Sequence, residues 1–388
     1  MKNKFRDVVV RELQRFFRNP VYLVSTVGMM SLIYIFFLTF LNEGTPQNLP
    51  IGVVDCDHST ISRRLAREIN TTPYADIRQH YTSFAEARDA MQRGDIYSFI
   101  VIPENFYADI LAFRQPKLSF YMNQTYLLGG SLTMKELTTM ANLAPAAVQR
   151  ELLRARGYND HTIMGLIQPI VIDSHLVGNP YMNYPAYLLT TVFPGILALI
   201  VLLVTTYSIG SELKHRTSHQ WLKTAGKSYF TAIAGKLFPY TLLFFILNLA
   251  GILLMFHIFR FPMAGTMGFY MIGSLLFIIT MQCVGVFFAG VMPVISTSIS
   301  LAVLYGILAI TMSGFTFPLE YMPPAIRGLS VLFPLRWFYL FTVDTTLLGL
   351  PVAQTAKYLP MIAAFILLPF FIQKRLHKAL IYQNYPTN

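Results

Sequence analysis

Apolar runs of membrane length alternate with short basic stretches along most of this chain, and one long mixed segment interrupts them. The first stretch is amphipathic. Phe5, Val8, Val9, Leu13, Phe16 and Phe17 recur at helical spacing, while Arg6, Arg11, Arg15 and Arg18 lie largely off that side. This predicts an interfacial helix over residues 1–20, lying in the headgroup plane and broken by Pro20. Residues 21–41, Val21 to Leu41, then reach the ~20 apolar residues a spanning helix needs. The run is too long for a signal-peptide core, so it reads as an uncleaved anchor.

Residues 42–184 follow a different pattern: polar, mixed in charge, alternating between period 2 and period 3.6. Strands are predicted at Leu49–Asp57, ADIRQHY, Tyr97–Pro103, KLSFYMN and IQPIVIDSHLV. Helices are predicted in STISRRLAREIN, which starts at Ser59, in SFAEARDAMQRG up to Gly94, in ENFYADILAF, and from Thr125 to Arg156 before Gly157. This is an α/β domain of its own. It follows one outward span, which places it outside the cytoplasm.

Membrane pattern resumes over residues 185–388. Span two is Ala186–Ile209 and span three runs from Phe230 to Phe259; neither carries an Asp, Glu, Lys or Arg beyond Lys236. From Phe261 to Leu319 there is no charged residue, enough for two further spans with MPVISTSIS, Met292 to Ser300, as their turn. Residues 315–349 are rich in Pro and aromatics and hold Glu320, Arg327, Arg336 and Asp344. They read as a broken re-entrant segment at the outer face, tolerated at membrane depth where protein or a water-filled cavity covers it. Span six is Lys357–Gln373. The predicted fold is therefore an α-helical membrane protein with six transmembrane helices and an α/β extracytoplasmic domain between the first two. Basic flanks then gather on one side, with both termini cytoplasmic.

Composition agrees. The chain is 54% hydrophobic and 13% charged, half the charge of a soluble domain. Its net charge of +11 sits beside apolar runs, which fits anionic lipid headgroups and excludes nucleic acid as a partner. Cys56 and Cys283 fall in different segments and form no bridge. His215 and His219 are four apart but lack a third ligand, so no metal site is assigned. Gly226-Lys227-Ser228 is not a P-loop: Trp221 stands at the first Gly position and no strand precedes it. Span centres carry no acidic residue, which leaves an ion-coupled carrier without a relay.

The basic stretch between spans two and three, residues 211–227, has helical spacing of its own at Leu213, Thr217, Trp221 and Leu222. It predicts a short cytoplasmic helix with an apolar knob, Trp221 or Leu222, that seats in a partner's groove. Glu212, Thr217, Leu222 and Thr224 resemble a loop of the ABC-2 type permease family, in which a Glu, a Gly-Thr pair, a second Glu, a Leu and a Thr-Pro pair recur. Ser313, Gly314, Phe317, Pro318, Met322, Pro323, Pro334 and Gly349 are similar to that family's S-G-x-x-x-P…M-P…P…G run. Arg216, His219 and Ala225 depart from the Gly, Glu and Pro of the first motif, and Asp344 stands where Arg is frequent. The resemblance covers essentially the whole chain, in the manner of type V exporter subunits with a large periplasmic domain.

It implies a permease of the bacterial inner membrane that binds no cofactor itself. ATP and Mg sit on a separate ABC ATPase subunit, and the permease pairs as a homodimer or with a relative. Glu212, Lys214, Arg216, Thr217, Trp221, Leu222 and Thr224 are its expected coupling residues. Ser313, Gly314, Phe317, Pro318, Met322, Pro323 and Pro334 are its expected outer gate. The substrate is amphipathic: a drug, lipid or peptide-like compound. Membrane lipid and a periplasmic adaptor are further partners. The alternative is a membrane-anchored scaffold that acts through its outer domain.

Overall fold

The computed structural model describes residues 2–41, 45–112, 114–167, 178–179 and 184–382. It divides into two compact units, Thr45–Ser174 and Met1–Gly44 with His175–Asn388.

The smaller unit is built on a four-stranded sheet in the order β2-β1-β3-β4: β1 Leu49–Asp55, β2 Ala75–Tyr81, β3 Ser98–Ile102 and β4 Ser119–Met122. β1 pairs in parallel with β2 and β3, and β3 pairs antiparallel with β4. Parallel strands buried on both faces need apolar residues at successive positions, which is what Val53-Val54 and Phe99-Ile100 supply. Ile51, Val53 and Ile100 pack on one face; Val54, Tyr81 and Phe99 pack on the other. Gly52 lies under the Tyr81 ring, where a Cβ would come within 2.6 Å. The connecting helices are α3 Thr60–Ile69, α4 Phe84–Arg93, α5 Phe106–Leu111, α6 Leu127–Ala155 and α7 Asp160–Ile167. Ser59 and Ser83 cap α3 and α4 through bonds to Ser62 N and Glu86 N, and Gly94 closes α4 at φ +85°. The helix α7 has no counterpart in the sequence reading. The last predicted strand, IQPIVIDSHLV, lies outside the described residues apart from its first residue, which ends α7.

In the larger unit, α1 is Lys2–Arg18. Asn19 accepts from Val21 N (3.0 Å), and Pro20 opens α2, Pro20–Phe40. α8 runs from Tyr184 to Lys214, α9 from Ser218 to Thr224, α10 from Tyr229 to Ile258 and α11 from Met267 to Val291. Then come α12 Ile295–Thr311, α13 Pro324–Ser330, α14 Pro334–Leu347 and α15 Val352–Tyr382. Five described helices are long and apolar enough to cross a bilayer: α2, α8, α10, α11 and α15. α12 has 17 residues, about 25 Å at 1.5 Å per residue. α13 and α14 form a pair bent by 83°, each opened by a Pro.

α8 is the central post. Of its most apolar stretch 72% is buried, against 22% for α2 and for α15. Small residues let helices approach it: a Cβ on Gly285 of α11 would meet Thr205 at 2.8 Å. Hydrogen bonds cross between helices as well, with Thr206 Oγ1 donating to Gly285 O (3.3 Å) and Asn248 Nδ2 to Ser274 Oγ (3.0 Å).

Two sequence expectations are corrected here. The turn predicted over Met292–Ser300 is only three residues long, because Ile295–Ser300 is helix. Its hydroxyls are absorbed by the helix itself: Ser298 Oγ donates to Val294 O (2.9 Å) and Ser300 Oγ to Ser296 O (3.0 Å). The predicted end of span two at Ile209 also falls short. α8 continues to Lys214, so Glu212 is helical rather than part of a loop.

Candidate functional site

A buried charge cluster joins α1, the end of α8 and the start of α10. Its hub is Glu212, which is fully buried. Arg11 grips it with two bonds, Nη1 to Oε1 at 2.7 Å and Nη2 to Oε2 at 3.0 Å. Lys236 Nζ donates to Oε1 at 3.0 Å; Arg15 Nη1 and the Thr217 hydroxyl also close on the carboxylate. Lys236 bridges to a second buried acid, Glu12, at 2.7 Å, and Glu12 also accepts from Tyr240 Oη at 2.9 Å. Arg15 Nη2 donates to Ser211 Oγ at 2.7 Å, and Ser211 Oγ lies 3.0 Å from Tyr22 Oη. Three cations face two carboxylates, so the cluster carries +3 − 2 = +1. Burial works against the charge of Arg15, but Glu212, Tyr22 and Glu12 together outweigh it and hold the guanidinium pKa above its ordinary value.

Local sequence explains how these groups meet. On α1, Val8, Glu12 and Phe16 are four apart and form its buried edge. That edge approaches α10 at Gly235, where a Cβ would lie 2.9 Å from Val8 Cβ. Gly235→Val is expected to push α1 off α10 at a cost of about 1–3 kcal/mol. Faster proteolysis within residues 1–20 would report it, and unchanged cleavage would refute it. The rest of the apolar side of α1 stays outside: Leu13 is 40% and Phe17 73% exposed. An interfacial helix needs such a face.

The connection from α8 to α10 is a helix between two tight stops. At the first, Arg216 takes φ +55°, with Thr217 N bonding to Glu212 O (2.9 Å) and Arg216 N to Leu213 O (3.2 Å). At the second, Gly226 takes φ +66°, with Lys227 N bonding to Leu222 O (2.8 Å). The first stop is a left-handed position, which favours glycine, and explains the physical demand that Arg216 meets at a strain cost. Arg216→Gly is expected to stabilise the chain by roughly 0.5 kcal/mol. A lowered melting temperature would contradict this.

Between the stops, α9 is the short helix that the pattern of residues 211–227 predicts, although it covers only Ser218–Thr224, and Ser211–Lys214 belongs to the end of α8. Its apolar side chains point the other way from the sequence expectation. Trp221 is fully buried and Leu222 is 5% exposed, so in this structure neither is a knob offered to a partner. Trp221 packs with Leu213 and Leu376, and Lys236 Nζ sits 4.8 Å over its ring. The reason is competition: α1, α10 and α15 already form a pocket there, and burying an indole inside the chain outweighs leaving it in water. Ser218 Oγ adds a bond to Leu380 O of α15 (2.8 Å). What α9 and its two flanking turns present outward is polar and basic: Lys214, His215, Arg216, His219, Gln220, Lys223 and Lys227 are exposed, and Thr224 is half-buried.

The second predicted set lies around the bent pair. Ser313 is buried and donates to Ile310 O (2.7 Å); Gly314 takes φ +94°. Phe317, Pro318 and Pro323 are exposed, Met322 is half-buried, and Pro334 is buried at the start of α14. Among the described residues no ion pair joins Glu320, Arg327, Arg336 and Asp344. Asp344 instead accepts from Tyr358 Oη at 2.7 Å.

Sequence reasoning found Glu212 and its neighbour Thr217 but none of the charged partners. Glu12 was legible as a lone carboxylate in the apolar 8-12-16 row, and Lys236 as a lone charge inside a span. Arg11 and Arg15 passed as ordinary positive-inside residues.

This bundle, with an amphipathic first helix pinned by buried charge beside a short helix between two long apolar ones, is that of a multi-pass membrane protein. The chain belongs to the ABC-2 family of transporter proteins, whose sequence pattern matches residues 20–372. It is similar to the inner membrane transport permease YhhJ of Escherichia coli (strain K12), 24% identical over 331 residues, covering 81% of this chain and 83% of that protein. The permease of the same name from Shigella flexneri matches equally, 24% identical over 331 residues.

Proposed function

We propose that this chain is the inner-membrane subunit of an ATP-binding cassette exporter, driven by a separate ATPase. Family membership supports a transport role, and the names of the bacterial relatives support the inner membrane. The mechanical part of the proposal rests on one observation: the Glu212 cluster ties α8, α10 and α1 together, and Thr217 on Glu212 and Trp221 under Lys236 tie α9 to it. A push on α9 is transmitted as a tilt of whole helices, because a packed, ion-paired cluster has no soft joint. Glu212, Thr217, Trp221 and Leu222 fasten the handle. Lys214, Arg216, Lys223 and Lys227 form its outward face, which suits an acidic surface on the ATPase, with Thr224 at its edge.

On this reading α12 counts as a span, giving six, with both termini in the cytoplasm and the α/β unit outside. Two permease copies, identical or related, frame the path. The bent α13–α14 pair, with Ser313, Gly314, Phe317, Pro318, Met322, Pro323 and Pro334 around it, forms the outer gate. ATP and Mg stay on the ATPase. The cargo is an amphipathic drug, lipid or peptide-like compound, and the outer unit docks a periplasmic adaptor. A scaffold role for the outer unit is the alternative; it predicts no ATPase partner.

The test is co-purification with a candidate ATPase, followed by Lys214→Glu with Lys223→Glu. The pair is expected to weaken association by about tenfold or more without changing the chain's own melting temperature. Undiminished association would rule out the basic face, and absence of any ATPase partner would rule out the transporter reading.

A further inference from the structure

The lipid-facing side of α10, α11 and α15 holds a groove of about 640 Å³ that has no part in the coupling cluster. Its α10 wall is regular: Phe230, Ala234, Phe238, Leu242 and Phe245 line it on successive turns. Its floor is α11, where Leu275, Ile279, Gln282 and Cys283 share one side. The far wall is Ile366 and Phe370 of α15. Aromatic contacts flank it, Phe230–Phe370 at one end at 4.9 Å and Phe5–Phe238 midway along α10 at 5.7 Å between ring centres. Its size falls inside the roughly 300–1,000 Å³ range of small-molecule sites.

The polar atoms of the floor are already engaged. Thr241 Oγ1 donates to Gln282 Oε1 (2.7 Å), and Gln282 Nε2 donates to Leu237 O (3.4 Å). Thr241 and Gln282 therefore offer an apolar ligand no unpaired group to desolvate, and the free Cys283 beside them behaves as a small apolar side chain. Its rim is apolar and open, with Phe230, Phe238, Leu242 and Phe370 each between 44% and 54% exposed. From Phe230 to Phe245 the groove follows roughly 22 Å of helix, more than the ~15 Å of hydrocarbon in one leaflet.

One end of the groove is basic. On α15 the row through Phe370 continues, four residues on, to the exposed Lys374 and then to His377 and Lys378. In the turn just before α10, the exposed Lys227 (φ +64°) lies three residues ahead of Phe230. No Asp or Glu occurs between Glu212 and Glu320 or after Asp344, so α10, α11 and α15 oppose these cations with no carboxylate. An apolar slot longer than a leaflet, ending at lysines to which α10, α11 and α15 bring no carboxylate, matches one class of molecule.

We propose that this groove is a site for an anionic phospholipid, with an acyl chain along α10 and the phosphate held by Lys227 and Lys374. Lys227 also belongs to the basic face proposed for the ATPase, so Lys374, which lies outside that face, separates the lipid site from that reading. To test it, the full-length chain is reconstituted in equimolar phosphatidylglycerol and phosphatidylcholine, re-extracted in mild detergent, and its retained lipid weighed by mass spectrometry. Phosphatidylglycerol is expected to be retained preferentially. Ala234→Trp fills the slot and abolishes the retained lipid; Ala234→Leu, a gentler filling, carries the same test if the Trp variant fails to fold. Lys227→Gln and Lys374→Gln keep the chain in the slot but each lower the preference by about fivefold. Equal retention of the two lipids, or undiminished retention in a folded Ala234 variant, overturns the proposal. So does efficient disulfide formation between two Ala234→Cys copies, which makes the groove a contact between subunits.

Discussion

Glu212→Gln is expected to destabilise the helical unit by about 3 kcal/mol, the lower end for breaking a buried charge pair. The lower end applies because Arg11 and Arg15 are 24% and 19% exposed and can turn toward water. Lys236 cannot; it is fully buried, and after the change it faces Glu12 alone while the cluster rises to +2. Lys236→Met takes the cluster to zero instead, leaving both arginines on Glu212 and Tyr240 on Glu12. Its cost is therefore smaller. The two changes together should cost less than their sum, since one interaction is counted in both. Thermal unfolding in detergent measures all three. Strict additivity, or a greater loss from Lys236→Met, would show that Glu212 is not the hub.

Trp221→Ala is expected to cost about 3–5 kcal/mol, the range for truncating a buried aromatic. The loss is local, because Trp221 holds α9 against Leu213, Leu376 and the Lys236 ammonium. Hydrogen exchange across residues 218–224 should rise sharply, and stimulation of the partner ATPase by substrate should disappear. Lys223→Glu should do the opposite: exchange stays low while association weakens, since Lys223 is exposed and touches no core. This contrast separates fastening the handle from gripping it. Unaltered exchange in Trp221→Ala would remove Trp221 from the fastening role.

Much of the fold was open to a reading of the residues. The strands from Leu49 to Met122 fall where short apolar and β-branched runs place them, and Ser59, Ser83 and Gly94 act as the caps that their chemistry suggests. Local rules suffice there, because each signal acts within a few residues. The errors came where two local rules compete. Ser296 to Ser300 carry turn composition, yet their hydroxyls bond within the helix. Trp221 carries the look of an exposed anchor, and a pocket made by distant residues captured it.

By itself the sequence determined that this chain lives in a bilayer, that a separate α/β unit interrupts its helices, and that a short basic helix links α8 to α10. Hydrophobic period and charge decide those matters, and both are properties of contiguous residues. Only the tertiary structure decided which charges are paired. Arg11 and Glu212 are 201 positions apart, and Glu12 and Lys236 are 224 apart. A contact across such a separation leaves no periodic trace; it exists only once packing has brought α1 onto α10 and removed the water between them.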